Sequence, residues 1–455
     1  MTPLLQKTAK LIGIDKAIAF TSMNGVLGAV IGFVSVLFYT TFLTKEEQGY
    51  YYTFGSVMAI SVFFELGFTG ILTQYVAHEH AHLSWDQDGI GLCGDLKYKS
   101  RLASLLRFCT KWYFVIAIAY LVIIQIIGYF FFSKYGANDH VSWEMPWLLL
   151  SSFSALGLFQ APFFSFLNGL GLVKETAEMG FYRTLFSTAF LWGSLFNGLG
   201  LYSMVISSVS STLFLIYYFT KYHFFKIFIE LWNTEISERI SYMKEIFPYQ
   251  WRIALSWISG YFIFNFINPI VFATDGAIAA GKIGLTINVL NSIRNLAMSW
   301  IGTKVPLMSK LIELKDYFTL DKLFRKTVIQ EVLVGISLLA IFWCVIVLLR
   351  ISQFALNGKV IAERFLDYIP MLLLTIPVIA QMVTDNLATY LRCHKKEPFL
   401  LQSICLGVIS VAYIFIFGRN YGLMGICIGY FITFTFISLP WGYYIFKTKR
   451  KIYCI

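Results

Sequence analysis

Long apolar stretches recur along the whole chain, and they constrain the fold more than any other feature. A helix needs about twenty apolar residues to cross a bilayer. Of the 455 residues, 58% are hydrophobic and 13% are charged, whereas about a quarter are charged in soluble proteins. The sequence therefore predicts an all-α integral membrane protein with about twelve transmembrane helices, near residues 18–43, 50–77, 112–132, 146–169, 182–198, 201–221, 249–273, 280–305, 327–349, 366–391, 399–418 and 421–446.

The distribution of basic residues predicts the orientation. If the N-terminus lies inside, the loops on the cytoplasmic side carry 28 of the 36 Lys and Arg residues, and the opposite side carries 7. Cytoplasmic loops of membrane proteins are enriched in Lys and Arg, so we expect both termini in the cytoplasm and a multi-pass topology. The net charge of +11 then reflects topology and requires no nucleic-acid partner. A single missed helix would exchange the sides of all later loops and remove the asymmetry.

A weak internal repeat indicates two halves. A shift of 232 residues places 48–70 on 280–302 and aligns Gly49 with Gly281. Parallel repeats in transporters are related by an axis along the membrane normal and place the substrate site between the halves. We therefore expect two pseudosymmetric six-helix bundles around a central cavity, lined by helices one, two, seven and eight.

The predicted boundaries of these halves follow from a charged connector. Residues 222–248 combine Phe, Leu, Ile and Trp at helical spacing with Lys, Arg and Glu, a pattern typical of helices at a lipid surface. The sequence thus divides into an N-terminal six-helix lobe over 1–221, a cytoplasmic amphipathic linker over 222–248, and a C-terminal six-helix lobe over 249–455.

Three ionisable residues fall inside predicted spans, where a charge costs about 2.5–3.5 kcal/mol or more. They are Glu65 in span two, Arg294 in span eight and Asp385 in span ten. In the repeat register Glu65 and Arg294 lie at similar depth. Arg294 could bind a phosphate or an acidic sugar in the cavity, with Glu65 as its partner when the cavity is empty, or the two could form a permanent structural pair. Glu65 and Asp385 are also candidates for ion coupling.

Side-chain amides accompany these charges. Asn288, Asn291 and Asn295 recur at helical spacing beside Arg294, and Asn24 and Asn265 lie in spans one and seven. A single amide in a membrane helix is usually explained by contacts between helices. Several amides around one arginine favour a wall that binds sugar hydroxyls, so we assign these five residues to the substrate cavity.

Other motifs carry less weight. His78 and His82 are spaced like zinc ligands, but the sequence places no third ligand with them, and we expect no metal site. Glycine-rich phosphate loops and hydrolase motifs are missing from the sequence, so we expect neither a cofactor nor an enzyme.

Two segments resemble a known family. Residues 42–77 contain a Gly-Tyr start to helix two and the acidic-Leu-Gly element at Glu65, and residues 269–311 contain helix eight and end beyond Pro306. They are similar to bacterial polysaccharide repeat-unit flippases, of the O-antigen and capsule type, in the multidrug/oligosaccharidyl-lipid/polysaccharide exporter superfamily. The resemblance implies a V-shaped bundle in the bacterial inner membrane. By alternating access it would move an undecaprenyl-pyrophosphate-linked oligosaccharide from the cytoplasmic to the periplasmic leaflet during surface polysaccharide synthesis.

The resemblance also suggests partners and a rival function. The candidate partners are membrane lipids, a polysaccharide polymerase, a chain-length regulator, and H⁺ or Na⁺ as coupling ion. The rival is an ion-coupled multidrug/cation antiporter of the same superfamily, whose relatives keep acidic residues in helices one and seven. Neither 18–43 nor 249–273 contains Asp or Glu, which favours the flippase, although Glu65 and Asp385 could serve such an antiporter.

Overall fold

The chain is built almost entirely of helices. The computed structural model describes residues 16–86, 91–137, 139–394 and 396–453. Its α-helices are α1 (Lys16–Phe42), α2 (Lys45–Met58), α3 (Val62–Glu65), α4 (Phe68–His80), α5 (Leu96–Tyr135), α6 (Glu144–Gly169), α7 (Val173–Phe196), α8 (Tyr202–Lys221), α9 (Phe224–Asn233), α10 (Phe247–Phe264), α11 (Ile267–Gly302), α12 (Val305–Glu313), α13 (Tyr317–Ser352), α14 (Tyr368–Arg392), α15 (Leu400–Ile432) and α16 (Leu439–Tyr453).

Short elements of other types occur between these helices. Antiparallel pairs are formed by β1 (Leu83–Trp85) with β2 (Leu92–Gly94) and by β3 (Ala355–Leu356) with β4 (Lys359–Val360). Single turns of 3₁₀-helix or π-helix join the remaining helices at Ala59–Ser61, Tyr242–Ile246, Ile361–Arg364 and Thr433–Ser438.

The helices confirm an all-α membrane protein. Seven helical segments of the described residues are long and apolar enough to cross a membrane, or eight if the bent pair of Lys45–Glu65 and Phe68–His80 counts as one span. Two of the seven, Gln250–Gly302 and Leu400–Tyr453, have 53 and 54 residues, more than twice the length of about twenty that one span requires. Each of the twelve predicted spans overlaps helix, although 50–77 runs across a break at Leu66 and Gly67 and 249–273 runs across one at Asn265 and Phe266.

Glycines with positive φ break each of these long segments in two. Gly276 has φ 84° inside α11, and Gly422 has φ 57° inside α15. Only glycine adopts such angles at little cost, so these residues separate span seven from span eight and span eleven from span twelve. The backbone N–H of Leu423 donates to Oδ1 of Asp275 at 3.3 Å, which connects the two breaks.

Contacts group the chain into two compact units. The first unit comprises Met1–Asn24, Ile60–Phe132 and Ser142–Trp257, and the second comprises Gly25–Ala59, Ser133–Val141 and Ile258–Ile455. The end of α1 and all of α2 therefore pack with the helices that follow Trp257. This grouping differs in those helices from the lobes drawn along the sequence, and the division into lobes at 222–248 stays a prediction.

In the first unit, the linker forms a shorter helix than its pattern suggested. α9 ends at Asn233, and residues 234–241 are not helical. Arg101 in α5 binds the returning chain, because its Nη2 lies 3.0 Å from Glu79 Oε1 and 2.7 Å from Glu245 Oε2. Glu79 is only 2% exposed. This ion-paired junction ties α4, α5 and the end of the linker together.

In the second unit, α2 crosses α11 at the two glycines that the repeat aligned. A Cβ atom built on Gly49 would lie 2.0 Å from the carbonyl oxygen of Ala277, and one on Gly281 would lie 2.9 Å from the backbone nitrogen of Gly49. The helix backbones thus touch, as close packing of small residues in membrane helices permits. The crossing thus brings together the two glycines that the repeat aligned, and the repeat itself stays a prediction.

The start of α2 is fixed by local and distant contacts. Thr44 and Glu47 form a capping box, in which each side chain accepts from the other residue's backbone N–H, at 3.0 and 2.8 Å. The chain after β4 reaches the same place, because Arg364 Nη2 donates to the carbonyl oxygen of Leu43 at 2.6 Å and Lys45 pairs with Glu363 at 2.6 Å.

Candidate functional site

Arg294 is the centre of a polar cluster inside the second unit. Its Nε and Nη2 lie 3.0 and 2.8 Å from Oδ2 of Asp385, and its Nη1 donates to Oε1 of Gln381 at 3.1 Å. Gln381 and Asp385 are one helical turn apart on α14, so a single face of α14 presents both acceptors to α11. The Arg294 side chain is 17% exposed and that of Asp385 is 36% exposed, and the ion pair is therefore partly accessible.

Aromatic residues complete this cluster. Gln381 Nε2 donates to the hydroxyl of Tyr430 at 2.7 Å, which extends the network from α14 to α15. The guanidinium carbon of Arg294 lies 5.4 Å from the centroid of the Phe264 ring, within the range of a cation–π interaction. Arg294 is thus held by a carboxylate, an amide and a ring. We call Arg294, Gln381, Asp385 and Tyr430 the arginine network.

The ionic partner of Arg294 differs from the one considered in the sequence. The sequence leaves Glu65 as a possible partner, but the carboxylate that Arg294 contacts is Asp385. The repeat register compared depths along the helices and could not show that α14 also faces α11. Asp385, predicted only as an ion-coupling candidate, therefore also holds the cation expected to bind substrate.

Glu65 lies at a break in span two, in the first unit. It is the last residue of α3, and the next two residues, Leu66 and Gly67, both have left-handed backbone angles, with φ 53° and 67°. The hydroxyl of Thr69 donates to the Glu65 carboxylate across this break. Broken helices at binding sites are typical of transporters. The acidic-Leu-Gly element is thus a break between helices, a role that its sequence did not reveal.

The three predicted amides of span eight differ in exposure. Asn288 and Asn295 are exposed and Asn291 is partly buried. None of their side chains forms a hydrogen bond within the part of the chain that the structure describes. Asn291 lies one helical turn before Arg294 and on the same side of α11, whereas Asn288 and Asn295 point about 100° or more away from Arg294.

The remaining two predicted residues are less informative. Asn265 is partly buried in the two-residue gap between α10 and α11. Asn24 lies in α1, and its side chain is outside the described residues. No group of His, Cys, Asp and Glu that could hold a metal ion occurs among the described residues.

The second unit contains a buried acid that the sequence does not single out. Glu331 lies in α13, has 0% exposure, and accepts a hydrogen bond from Asn386 Nδ2 at 2.9 Å. It lies only a few residues inside predicted span nine, so its depth drew no attention. Its partner Asn386, itself 0% exposed, directly follows Asp385 and belongs to a different helix, a pairing that sequence spacing does not show.

Comparisons with known proteins identify the fold of the chain. No protein-family model and no curated protein matches the sequence. An inward-facing multidrug resistance MATE family transporter of the MOP superfamily is similar in structure, with a TM-score of 0.59 and 13% identity, over 93% of this chain and 99% of that chain. A MOP superfamily transporter from Pyrococcus furiosus gives 0.55 and 13%, over 96% and 97%.

A lipid transporter shares the same architecture. The lipid II flippase MurJ, in an inward closed conformation, has a TM-score of 0.53 and 11% identity, over 95% of this chain and 87% of that chain. The chain is therefore a multi-pass membrane protein with the fold of MOP superfamily transporters. The structural similarity extends to multidrug transporters and to a lipid flippase alike, and it defines the fold of this chain.

Proposed function

We propose that this protein flips an undecaprenyl-pyrophosphate-linked oligosaccharide from the cytoplasmic to the periplasmic leaflet of a bacterial inner membrane, with both termini in the cytoplasm. The observation that carries the proposal is Arg294, a cation inside a span, with Asn291 one helical turn before it and without a side-chain hydrogen bond among the described residues. A guanidinium binds phosphate oxygens in a bidentate manner, and free amides bind sugar hydroxyls. A lipid-linked oligosaccharide offers both groups.

The arginine network suggests how such an anion is bound and released. Both Arg294 contacts to Asp385 use the single oxygen Oδ2, so the pair lacks the two-oxygen geometry of the strongest carboxylate pairs. A phosphate with several acceptor oxygens can compete for the guanidinium. When it leaves, Asp385 again neutralises Arg294, which avoids the cost of an unpaired charge in the membrane.

The test replaces Arg294 and, in a separate variant, the amide of Asn291. Arg294→Ala should abolish the appearance of surface polymer and cause lipid-linked oligosaccharide to accumulate on the inner leaflet, while Arg294→Lys should retain partial transport because it keeps the charge. Asn291→Ala should lower transport at unchanged protein abundance, since Asn291 has no side-chain hydrogen bond among the described residues. Transport is measured as surface polymer per amount of protein in the membrane.

A matched control separates a role in binding from a role in folding. Arg419 is an exposed arginine in α15, and Arg419→Ala should leave polymer output unchanged. Asp385→Asn combined with Arg294→Ala removes both charges of the pair. If the double variant recovers full transport, Arg294 has only a structural role, and the flippase proposal loses its main support.

The second candidate is an ion-coupled multidrug or cation antiporter. The observation in its favour is Asp385, a carboxylate at 36% exposure that could exchange its arginine for a cationic drug. The double variant Asp385→Asn with Arg294→Ala should lower drug resistance if the protein is an antiporter and leave it unchanged if the protein is a flippase. Efflux of a cationic dye that depends on Asp385, in cells with normal surface polymer after Arg294→Ala, would support the antiporter.

The proposal also defines partners for further tests. Membrane lipids surround the spans, and the flippase would deliver its product to a polysaccharide polymerase whose chain length is set by a regulator. The coupling ion is H⁺ or Na⁺, with Asp385 and Glu65 as the carboxylates weighed from the sequence. Its identity is measurable by the dependence of transport on the pH gradient and on the sodium gradient.

A further inference from the structure

Glu331 is the most deeply buried acid of the second unit, and the described residues give it no cation. Its exposure is 0%, and its neighbour Asn386 is equally buried. Asn386 Nδ2 donates to Glu331 Oε1 at 2.9 Å, which leaves the second oxygen of the carboxyl and the oxygen of the amide. An isolated ionised carboxylate in such a place is very costly, so buried acids are either paired or neutral.

Each of the two remaining oxygens lacks a hydrogen-bond donor. Glu331 Oε2 and Asn386 Oδ1 are both buried and both lack a hydrogen-bond partner among the described residues. Two acceptors cannot satisfy each other unless one of them carries a hydrogen. If Glu331 is a carboxylic acid, its O–H can donate to Oδ1, and the carboxyl and the amide form a cyclic pair of two hydrogen bonds. A single proton on Oε2 would thus give both oxygens a hydrogen bond.

We propose that Glu331 is a proton-binding site, in which the protonated carboxyl pairs with Asn386 and supplies the coupling proton of the transporter. The proton is taken from water and bound to Oε2. It returns to water when the Glu331–Asn386 pair becomes accessible on the other side of the membrane. The role in coupling rests on the proposed transport function, whereas the protonated state does not.

The charges around Glu331 fit this assignment. Asp385, directly before Asn386 on α14, interacts electrostatically with Glu331 and disfavours a second negative charge. Arg294 on α11 is already engaged by Asp385 through contacts of 3.0 and 2.8 Å. The nearby cation Arg294 is thus already paired with Asp385, and Glu331 has no cation of its own within the described residues.

Infrared spectroscopy tests the protonated state without any substrate. The purified protein in lipid at neutral pH should show the C=O stretch of a protonated carboxylic acid, which shifts in D₂O. Growth with carboxyl-¹³C glutamate should shift this band, which assigns it to Glu rather than Asp in the unaltered protein. The band should disappear in Glu331→Gln and remain in the exposed control Glu313→Gln.

Glu331→Gln also tests the coupling, because a glutamine amide can donate to Asn386 Oδ1 and accept from Nδ2 as the protonated acid would. We expect this variant to retain normal abundance and melting temperature but to lose transport driven by a pH gradient. Absence of a Glu-derived band in the unaltered protein, or its persistence in Glu331→Gln, would overturn the proton site; a cation held between the two oxygens would give that first result. A band assigned to Glu331 with full pH-driven transport in Glu331→Gln would overturn the coupling role and leave the flippase proposal standing.

Discussion

Of the two glycines in α2, Gly49 is the one at which an added methyl group should disrupt the crossing of α2 and α11. In Gly49→Ala the added Cβ would lie 2.0 Å from the carbonyl oxygen of Ala277, 2.6 Å from its carbonyl carbon and 2.9 Å from its Cα. Ordinary contacts between carbon and oxygen are about 3.3–3.6 Å. The helices must therefore separate by more than about 1 Å, because the atoms in the way are backbone and have no other rotamer.

The magnitude follows from two opposing terms. Overpacking of this kind costs about 1–3 kcal/mol, and a clash with backbone belongs at the upper end of that range. Ala replacing Gly in a helix interior gains about 0.5–1 kcal/mol. Gly55 supplies the matched control, since it lies on the same helix, is exposed, and has open space around a built Cβ. The gain from replacing Gly by Ala is common to both variants and cancels, so we expect Gly49→Ala to be less stable than Gly55→Ala by about 2–3 kcal/mol.

The assay is a thermal melt of the detergent-solubilised protein, followed by its monodisperse peak in size-exclusion chromatography. Gly281→Ala should fall between the two variants, since its Cβ would approach Gly49 nitrogen to 2.9 Å and requires a smaller displacement. Equal melting temperatures for Gly49→Ala and Gly55→Ala would refute the reasoning that the backbones touch at this crossing.

Two further predictions concern the ion-paired junction at Arg101 and the topology. Arg101→Met leaves Glu79 buried without its cation and should cost about 3–5 kcal/mol, which Glu79→Gln in the same chain should largely restore in thermal melts. Burial alone would raise the pKa of Glu245, but the Ser241 amide and Arg101 hold that pKa below its ordinary value of 4.5, so this pair stabilises the fold at neutral pH. The stability difference between the native chain and Arg101→Met should then shrink as the pH falls below about 4.5, and a difference independent of pH would contradict the Glu245 contribution. In a cysteine-free background, a cysteine at Ser237 should react with a membrane-impermeant maleimide only from the cytoplasmic side and one at Gly358 only from outside; the opposite pattern would reverse the orientation predicted from the charges.

The membrane fold could be predicted from the sequence because its signal is distributed over many residues. Each apolar run is long enough to span a bilayer, and an error of a few residues at one end leaves the helix in place. The glycine breaks were harder to find. Gly276 and Gly422 are ordinary glycines in the sequence, and their role depends on backbone angles that only the folded chain shows.

The contacts of the candidate site could not be predicted from the sequence, because they join residues from different helices. Arg294 and Asp385 each stood out as a charge inside a span, yet the sequence did not show that they meet. Glu331 carried a weaker signal because it lies close to the predicted end of its span. Its burial comes from the packing of α13 against α14. Only the two buried oxygens of Glu331 and Asn386 that lack hydrogen-bond partners suggest a bound proton.

Consecutive residues of α14 connect the two proposals. Neighbouring side chains on a helix point about 100° apart, so Asp385 can face Arg294 on α11 while Asn386 faces Glu331 on α13. An anionic substrate that takes Arg294 away from Asp385 exposes Glu331 to an unbalanced negative charge, and this strengthens the hold of Glu331 on its proton. By linkage, protonation of Glu331 must strengthen anion binding to the same degree. Binding of the anion at Arg294 and protonation of Glu331 are thus thermodynamically linked, and this linkage is measurable as a change of anion affinity with pH.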